Sequence, residues 1–383
     1  MKKIAILGIT GSIGLSTVEV VKKHPESFKI VLASSNNKYK KLFSLAKEFH
    51  IPNLVITNEN LKQSITDYPE GITLSFGENN LQEALSSVEC DIVLNAISGS
   101  AGLRSSMTVI SQGIDLALAN KESLVMAGHL IMENLKTSKS KLIPVDSEHS
   151  AILQAIGSAT TDEVKSIILT ASGGPFRNLP LSEFENITLE DTLKHPTWDM
   201  GPKITIDSAT MMNKGFEVIE AHWLFKKPFS NIKTVIHPQS IIHSFVEFVD
   251  GSIVAQLSFP NMQIPILFAL TYPKHINSTI SKTNVLDLPE LTFSEVKKER
   301  YPLFFLACEV GKKGGLLPTI MNAANEAAVD LFINKKISFN QIFEIVEHAI
   351  STAENITEPG IDEIISANNE TFQIIKQDYK KII

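Results

Sequence analysis

Apolar and polar positions follow two successive rhythms along the chain. Residues 3–8, a lysine followed by a short apolar run, read as a buried parallel strand. It passes through Gly8-Ile-Thr-Gly-Ser-Ile-Gly14 into a helical pattern reaching Val21. Residues 28–33 repeat the strand signal. Helical and strand patterns then alternate, with strands at residues 91–97, 114–119 and 141–146. Such alternation implies a parallel sheet wound with helices. Farther on, residues 167–175 read as a strand ending in a Ser-Gly-Gly-Pro turn, and residues 204–224 open as a short β-like segment and close as a helix. Residues 234–237 and 244–249 read as strands, and Asp250-Gly251 is a hairpin turn that returns the chain along residues 252–257. Consecutive antiparallel strands after an α/β region imply a second, α+β domain. Residues 274–291 are polar and loop-like. From Tyr301 onward the apolar spacing is helical, over residues 303–312, 318–335, 339–353 and 361–375.

The expected architecture is therefore α/β. An N-terminal Rossmann-like dinucleotide domain spans residues 1–146, and a central α+β catalytic and dimerisation domain spans 147–273. A linker covers 274–298 and a C-terminal helical bundle 299–383.

Composition narrows the function classes. A net charge of −7 with no dense Lys/Arg run argues against a nucleic-acid surface. The two cysteines, Cys90 and Cys308, are too far apart in sequence for a Cys-x-x-Cys motif, and such sparse usage suits a reducing cytoplasm. Met1-Lys2-Lys3 leads straight into the first strand with no signal-peptide pattern, and no apolar stretch reaches membrane-spanning length. The expectation is a cytoplasmic protein with no membrane partner.

The chemistry-bearing residues fall at strand ends and loops. Strand, glycine loop and helix in that order are the context of a dinucleotide fingerprint, here in the variant spacing Gly-x-x-Gly-x-x-Gly around Thr10, Gly11, Ser12 and Ile13. A tight βα turn without ligand is the plain alternative. The second strand ends in Ser35, Asn36 and Asn37 with no carboxylate, which favours NADP over NAD because an acid would repel the 2′-phosphate; an ordinary polar turn is the alternative. Asn120, Lys121 and Glu122 follow another strand end, where a helix cap at Asn120 is the competing account. Asp146 and Glu148, two apart in an extended backbone, would point the same way and share an oxygen-bound Mg²⁺ or Mn²⁺. The alternative is a helix capped at Asp146 or Ser147. Ser172, in its double-glycine turn, suits an anion nest, and plain turn chemistry accounts for it equally. His195 and Trp198 lie in a Gly/Pro-bounded loop ending at Gly201. Ser208, Asn213, Lys214 and Glu217 crowd a helix start, where anions bind; a capped helix with a polar face would account for them equally. Met262 reads chiefly as core. Asn322, Asn325 and Glu326, at helical spacing, read as structural. Taken together, the parts describe a nucleotide-dependent enzyme for a small phosphorylated substrate with an oxygen-bound divalent metal.

Several motifs carry a family resemblance in order along nearly the whole chain. They are Gly8-x-Thr-Gly-Ser-Ile-Gly14, Ala119-Asn-Lys-Glu-Ser123, Pro144-Val-Asp-Ser-Glu-His149, Thr170-x-Ser-Gly-Gly-Pro-Phe-Arg177, Ile206-Asp-Ser-Ala-Thr-Met-Met-Asn-Lys-Gly-x-Glu217 and Ile236-His-Pro-Gln-Ser-Ile-Ile-His-Ser244. The chain resembles the 1-deoxy-D-xylulose 5-phosphate reductoisomerase family. The resemblance implies NADPH-dependent conversion of that sugar phosphate to 2-C-methyl-D-erythritol 4-phosphate, in non-mevalonate isoprenoid synthesis, by a homodimer. It implies one Mg²⁺ or Mn²⁺ per active site on Asp146, Glu148 and Glu217. Ser172, Ser208, Asn213 and Lys214 would hold the substrate phosphate with His195 nearby, and Lys121, Ser147 and Glu148 would meet the substrate's other oxygens. Thr10, Gly11, Ser12, Ile13, Ser35, Asn36, Asn37, Asn120, Glu122 and Gly201 would line NADPH, and Trp198 would close a flap formed by residues 195–201. The chain departs from the family pattern at Ser35-Asn-Asn37, where many members carry Gly-Lys-Asn, and at Thr197, where Asn is common. An NADP-dependent sugar-phosphate dehydrogenase without rearrangement is the alternative enzyme. A nucleotide-sensing binding module is the alternative outside catalysis.

Overall fold

The computed structural model describes residues 1–194, 198 and 200–382. The first half of the chain runs β1 (Lys2–Leu7), α1 (Ser12–Lys23), β2 (Phe28–Ser35), α2 (Tyr39–Phe49), β3 (Asn53–Ile56), β4 (Thr73–Phe76), α3 (Glu78–Ser87), β5 (Ile92–Asn95), α4 (Gly102–Ser111), β6 (Asp115–Leu118), α5 (Lys121–Thr137), β7 (Leu142–Pro144) and α6 (Ser147–Ile156). It continues with β8 (Val164–Ala171), α7 (Leu189–Thr192), α8 (Pro202–Ala209), α9 (Met212–Phe225), β9 (Ile232–Ile236), β10 (Ile242–Phe248), β11 (Ile253–Leu257) and α10 (Gln263–Thr271). The last elements are β12 (Ser294–Glu295), α11 (Pro302–Lys313), α12 (Leu317–Ile333), α13 (Phe339–Thr352) and α14 (Ile361–Ile382).

These elements form two compact units that do not follow the sequence in single blocks. The first comprises Met1–Asn120, Ile131–Ser150 and Asn261–Lys282; the second comprises Lys121–Leu130, Ala151–Pro260 and Thr283–Ile383.

In the first unit, seven parallel strands take the order β4-β3-β2-β1-β5-β6-β7. The central strands are apolar on both faces: Ile4, Ala5, Ile6 and Leu7 are fully buried, as are Ile92, Val93 and Leu94. This is the signature of a sheet covered by helices on both sides. Strand order runs outward in opposite directions from β1 and β5, so the topological switch point lies at their carboxyl ends, the usual ligand crevice of such sheets. Helix α10 packs against α1 in this unit.

The second unit has a five-stranded sheet of order β11-β10-β8-β9-β12. The expected hairpin is present: β10 and β11 pair antiparallel, and β10 also pairs antiparallel with β8. The sheet is nevertheless mixed, because β8 and β9 run parallel. The chain between them carries α7, α8 and α9, and a crossover of that length returns a strand in the same direction. Helices α11–α14 follow the apolar spacing of the sequence, and α12 is buried along most of its length in a cluster with α9, α11 and α13.

One element differs from its sequence pattern. Residues 204–206 are helical, because α8 begins at Pro202 with Gly201 as its N-cap. Proline at the first turn presets the helical φ and loses no needed N–H. The apparent two-residue alternation of Ile204 and Ile206 is overridden, and Thr205, Ile206 and Ala209 are buried as helical residues. Met211, at φ 60°, then turns the chain from α8 into α9. Among the described residues no helix is long and apolar enough to cross a membrane.

Candidate active site

The first unit supplies the nucleotide-binding features at its switch point. Gly8 sits at φ 75°, and a Cβ there would lie 2.6 Å from the Ala96 carbonyl oxygen at the end of β5. A Cβ on Gly14 would lie 2.4 Å from the Gly8 carbonyl oxygen and 2.5 Å from Ile9 Cα. The two outer glycines thus hold loop, sheet and helix α1 in close contact. Helix α1 starts at Ser12 with Gly11 as N-cap, has no acid in its first turn and has Lys22 and Lys23 in its last. Its amino end is therefore left positive for an anion. The Gly8 amide donates to Ser34 Oγ at 3.1 Å, and the hydroxyls of Thr10 and Ser35 are 2.7 Å apart. Asn36 is exposed beside them, as is Asn37, which accepts from Asn58 Nδ2 at 2.7 Å. Buried Asn120 donates to the carbonyls of Ile97 and Gly99, both at 2.8 Å, and so fastens the loop after β5.

The same unit carries the paired carboxylates. Asp146 immediately precedes α6, and its carbonyl accepts from Ser150 N at 2.8 Å. Glu148 lies in the first turn of α6, so the pairing does not arise from an extended backbone as the two-residue spacing suggested; helix initiation at Ser147 overrides it. The carboxylates still converge: an oxygen of each lies within 4.8 Å of the other, and a His149 ring nitrogen is within the same distance of Asp146. Ser147 Oγ donates to Glu148 Oε2 at 2.5 Å. Two carboxylates this close favour a shared cation, and hard oxygen donors fit Mg²⁺ or Mn²⁺.

The second unit holds a denser charged cluster. Glu217 on α9 is 1% exposed. Asn213, one turn earlier, donates to its Oε1 at 2.6 Å; Lys214 pairs with its Oε2; and Lys121 Nζ reaches Oε1 at 3.4 Å. Lys121 also lies 3.9 Å from Glu220 Oε2. Helical spacing of three and four residues puts Asn213, Lys214 and Glu217 on one face. Ser172 accepts from Gly174 N at 3.2 Å, in a turn where Gly173 and Gly174 both have positive φ. A Cβ on Gly174 would lie 2.9 Å from the Ser208 carbonyl oxygen, so the Ser172 turn sits directly on the end of α8 that carries Ser208. Tyr301 Oη fixes the turn by donating to the Gly173 carbonyl at 2.8 Å. The Trp198 ring lies 6.3 Å from that of His243, and Gly201 is exposed. The expected role of His195 lies outside the described residues.

Some charged partners went unassigned in the sequence. Lys203 bridges Glu122 at 3.0 Å and Asp207 at 2.9 Å. Burial pushes the Glu122 carboxyl up, but the Lys203 charge, hydrogen bonds from the backbone and Lys203, and Lys121 together hold it below the ordinary range. The Lys203–Asp207 spacing of four is a legible sequence signal. The Lys203–Glu122 and Lys121–Glu220 pairs join residues far apart in the chain and have none. Asn325, read as structural, donates to Asp207 Oδ1 at 2.8 Å.

Fold and site define a dinucleotide-binding α/β enzyme whose second unit carries a buried carboxylate, amide and lysine cluster. Three family models match the chain: 1-deoxy-D-xylulose 5-phosphate reductoisomerase over residues 4–128, its C-terminal domain over 142–225, and the DXP reductoisomerase C-terminal domain over 257–374. The chain belongs to the 1-deoxy-D-xylulose 5-phosphate reductoisomerase family. It is 46% identical over 382 residues to the reductoisomerase of Caldanaerobacter subterraneus, covering 99% of this chain and 100% of the relative. It is 43% identical over 383 residues to that of Clostridium perfringens strain 13, covering 99% and 100%. Among solved structures, a DOX-P reductoisomerase in complex with NADPH, fosmidomycin and magnesium superposes with a TM-score of 0.94 at 36% identity, covering 99% of this chain and 98% of that one. The Zymomonas mobilis reductoisomerase in complex with NADPH gives 0.90 at 38% identity, covering 98% of each.

Proposed function

We propose that the chain converts 1-deoxy-D-xylulose 5-phosphate to 2-C-methyl-D-erythritol 4-phosphate, using NADPH and one Mg²⁺ or Mn²⁺ per active site. The observation that carries this reading is the buried Glu217 with Asn213 and Lys214 on the same face of α9. A phosphate on the amide and ammonium and a cation on the carboxylate would be neighbours there, and their charges would offset one another.

Asp146, Glu148 and Glu217 would hold the metal, as the family pattern implies, and their hard oxygen donors suit Mg²⁺ or Mn²⁺. When bound, the ion supplies a Lewis acid and a template for the substrate's carbonyl and hydroxyl oxygens. Lys214, Asn213, Ser208 and Ser172 hold the phosphate, with His195. Lys121, Ser147 and Glu148 orient the other oxygens. NADPH, when bound, would supply the hydride that reduces the aldehyde to which retro-aldol cleavage and re-addition would rearrange the skeleton. Thr10, Gly11, Ser12, Ile13, Ser35, Asn36, Asn37, Asn120, Glu122 and Gly201 would line the NADPH site, and Trp198 would exclude water from the bound substrate.

The protein reads further as a cytoplasmic homodimer. Support comes from β11, an edge strand of the second sheet with Ile253, Val254 and Leu257 exposed, since an open apolar edge favours association. Light scattering that gives the monomer mass at micromolar concentration would contradict it.

The deciding assay is NADPH oxidation with 1-deoxy-D-xylulose 5-phosphate, with and without Mg²⁺ or Mn²⁺, repeated with NADH. A branched polyol phosphate is the expected product. An unbranched one would identify a simple sugar-phosphate dehydrogenase instead.

A further inference from the structure

Lys203 has no place in the machinery above, yet it joins two buried acids of the second unit. It follows Gly201 and Pro202 at the start of α8 and touches two acids at once, Glu122 Oε1 at 3.0 Å and Asp207 Oδ2 at 2.9 Å. Its Nζ lies 5.4 Å from the centre of the Phe216 ring. Glu122 is 7% exposed and Asp207 2%. Two carboxylates so deeply buried around one point are destabilising unless a cation joins them, because both lose their hydration. Burial acts to lower the Lys203 pKa, and Asp207, Glu122 and Glu326 override it, so the ammonium keeps its charge.

Position gives this pair its meaning. Glu122 is the second residue of α5, and Lys121, the first, reaches Glu217. Adjacent helical residues point about 100° apart, so gripping one sets the rotation of the other. The opposite end of the grip is the helix that begins directly after residue 201.

We propose that Lys203 is a positioning residue that acts through Glu122. It holds the Glu122 carboxylate in place and ties the amino end of α8, at Gly201 and Pro202, to the first turn of α5. The inference rests on the reading of Glu122 and Gly201 as cofactor-lining residues. Lysine suits the task because its compact charge satisfies two carboxylates that arrive from different elements.

A double-mutant cycle tests it with a binding readout. NADPH affinity is measured by fluorescence titration of the full-length protein, without substrate or metal, for Lys203→Met, Glu122→Gln and the pair. Each single variant is expected to weaken NADPH binding about tenfold, the lower end for loss of a supporting partner. The pair is expected to be no weaker than either single variant, and Lys203→Arg to restore most of the loss. If Lys203→Met does not fold, Lys203→Gln takes its place in the cycle. Weakened binding in Glu122→Gln with wild-type binding in folded Lys203→Met would overturn the role of Lys203 alone. Unchanged binding in Glu122→Gln would overturn the cofactor reading of Glu122 together with this inference. Losses that add in the pair would show that Lys203 does not act through Glu122.

Discussion

Asn213 Nδ2 donates to Glu217 Oε1 at 2.6 Å, one helical turn apart on α9. An amide proposed for the phosphate and a carboxylate proposed for the metal are therefore direct partners. With Lys214 on the other carboxylate oxygen, α9 presents Asn213, Lys214 and Glu217 as a single linked unit.

Glu217→Gln keeps one acceptor oxygen, enough for Asn213, while it removes the charge and sets an amide donor in place of the other carboxylate oxygen. Turnover is expected to fall by at least about 100-fold, since even supporting partners of a metal site are worth 10–100-fold. Circular dichroism should be unchanged. Turnover near wild type at saturating Mg²⁺ would remove Glu217 from the metal site.

Lys214→Ala removes the phosphate cation. The substrate KM is expected to rise roughly 10–100-fold, the scale of a lost charged hydrogen bond of about 1.5–3 kcal/mol. NADPH affinity, titrated separately, should stay near wild type. Parallel losses of both affinities would contradict a role confined to the substrate.

Gly14→Ala tests the nucleotide loop. The new Cβ would meet backbone atoms of Gly8 and Ile9 at 2.4–2.6 Å, which cannot move aside as a side-chain tip could. Destabilisation of about 1–3 kcal/mol is expected, the usual cost of overpacking. Thermal melting and NADPH titration should both register it, and wild-type behaviour in both would show that α1 does not need this close approach.

Glu247 gives a pH signature independent of the active site. Lys165 and Ser166 on the neighbouring β8 hydrogen-bond its carboxylate and, with Lys233, hold its pKa down to about 2. A depressed carboxylate contributes stability above its unfolded pKa, about 4.3, and loses it as pH falls towards the folded value. Melting temperature should therefore drop across that acid window, and Glu247→Gln should flatten this part of the drop. An identical acid profile in the variant would show that the β8–β10 clamp contributes nothing.

The sequence alone determined the strand–glycine loop–helix opening, the parallel first sheet, the β10–β11 hairpin and the four C-terminal helices. Each of these rests on local periodicity or turn chemistry, which residues carry with them wherever they fold. It also supplied the chemical types proposed for the site, carboxylates, amides and lysines at strand ends and helix starts. Tertiary structure decided the rest. The helix at residues 202–209 replaced an apparent strand, since Gly201 and Pro202 set a helix start and burial of Thr205, Ile206 and Ala209 rewarded it. Helix initiation likewise displaced the extended pairing of Asp146 and Glu148. The parallel return of β9 beside β8 depended on what lay between them. The pairs Lys121–Glu217 and Lys203–Glu122 join residues 96 and 81 apart. No local pattern encodes such a contact, because it exists only once packing brings α5, α8 and α9 together and burial obliges each charge to find its opposite.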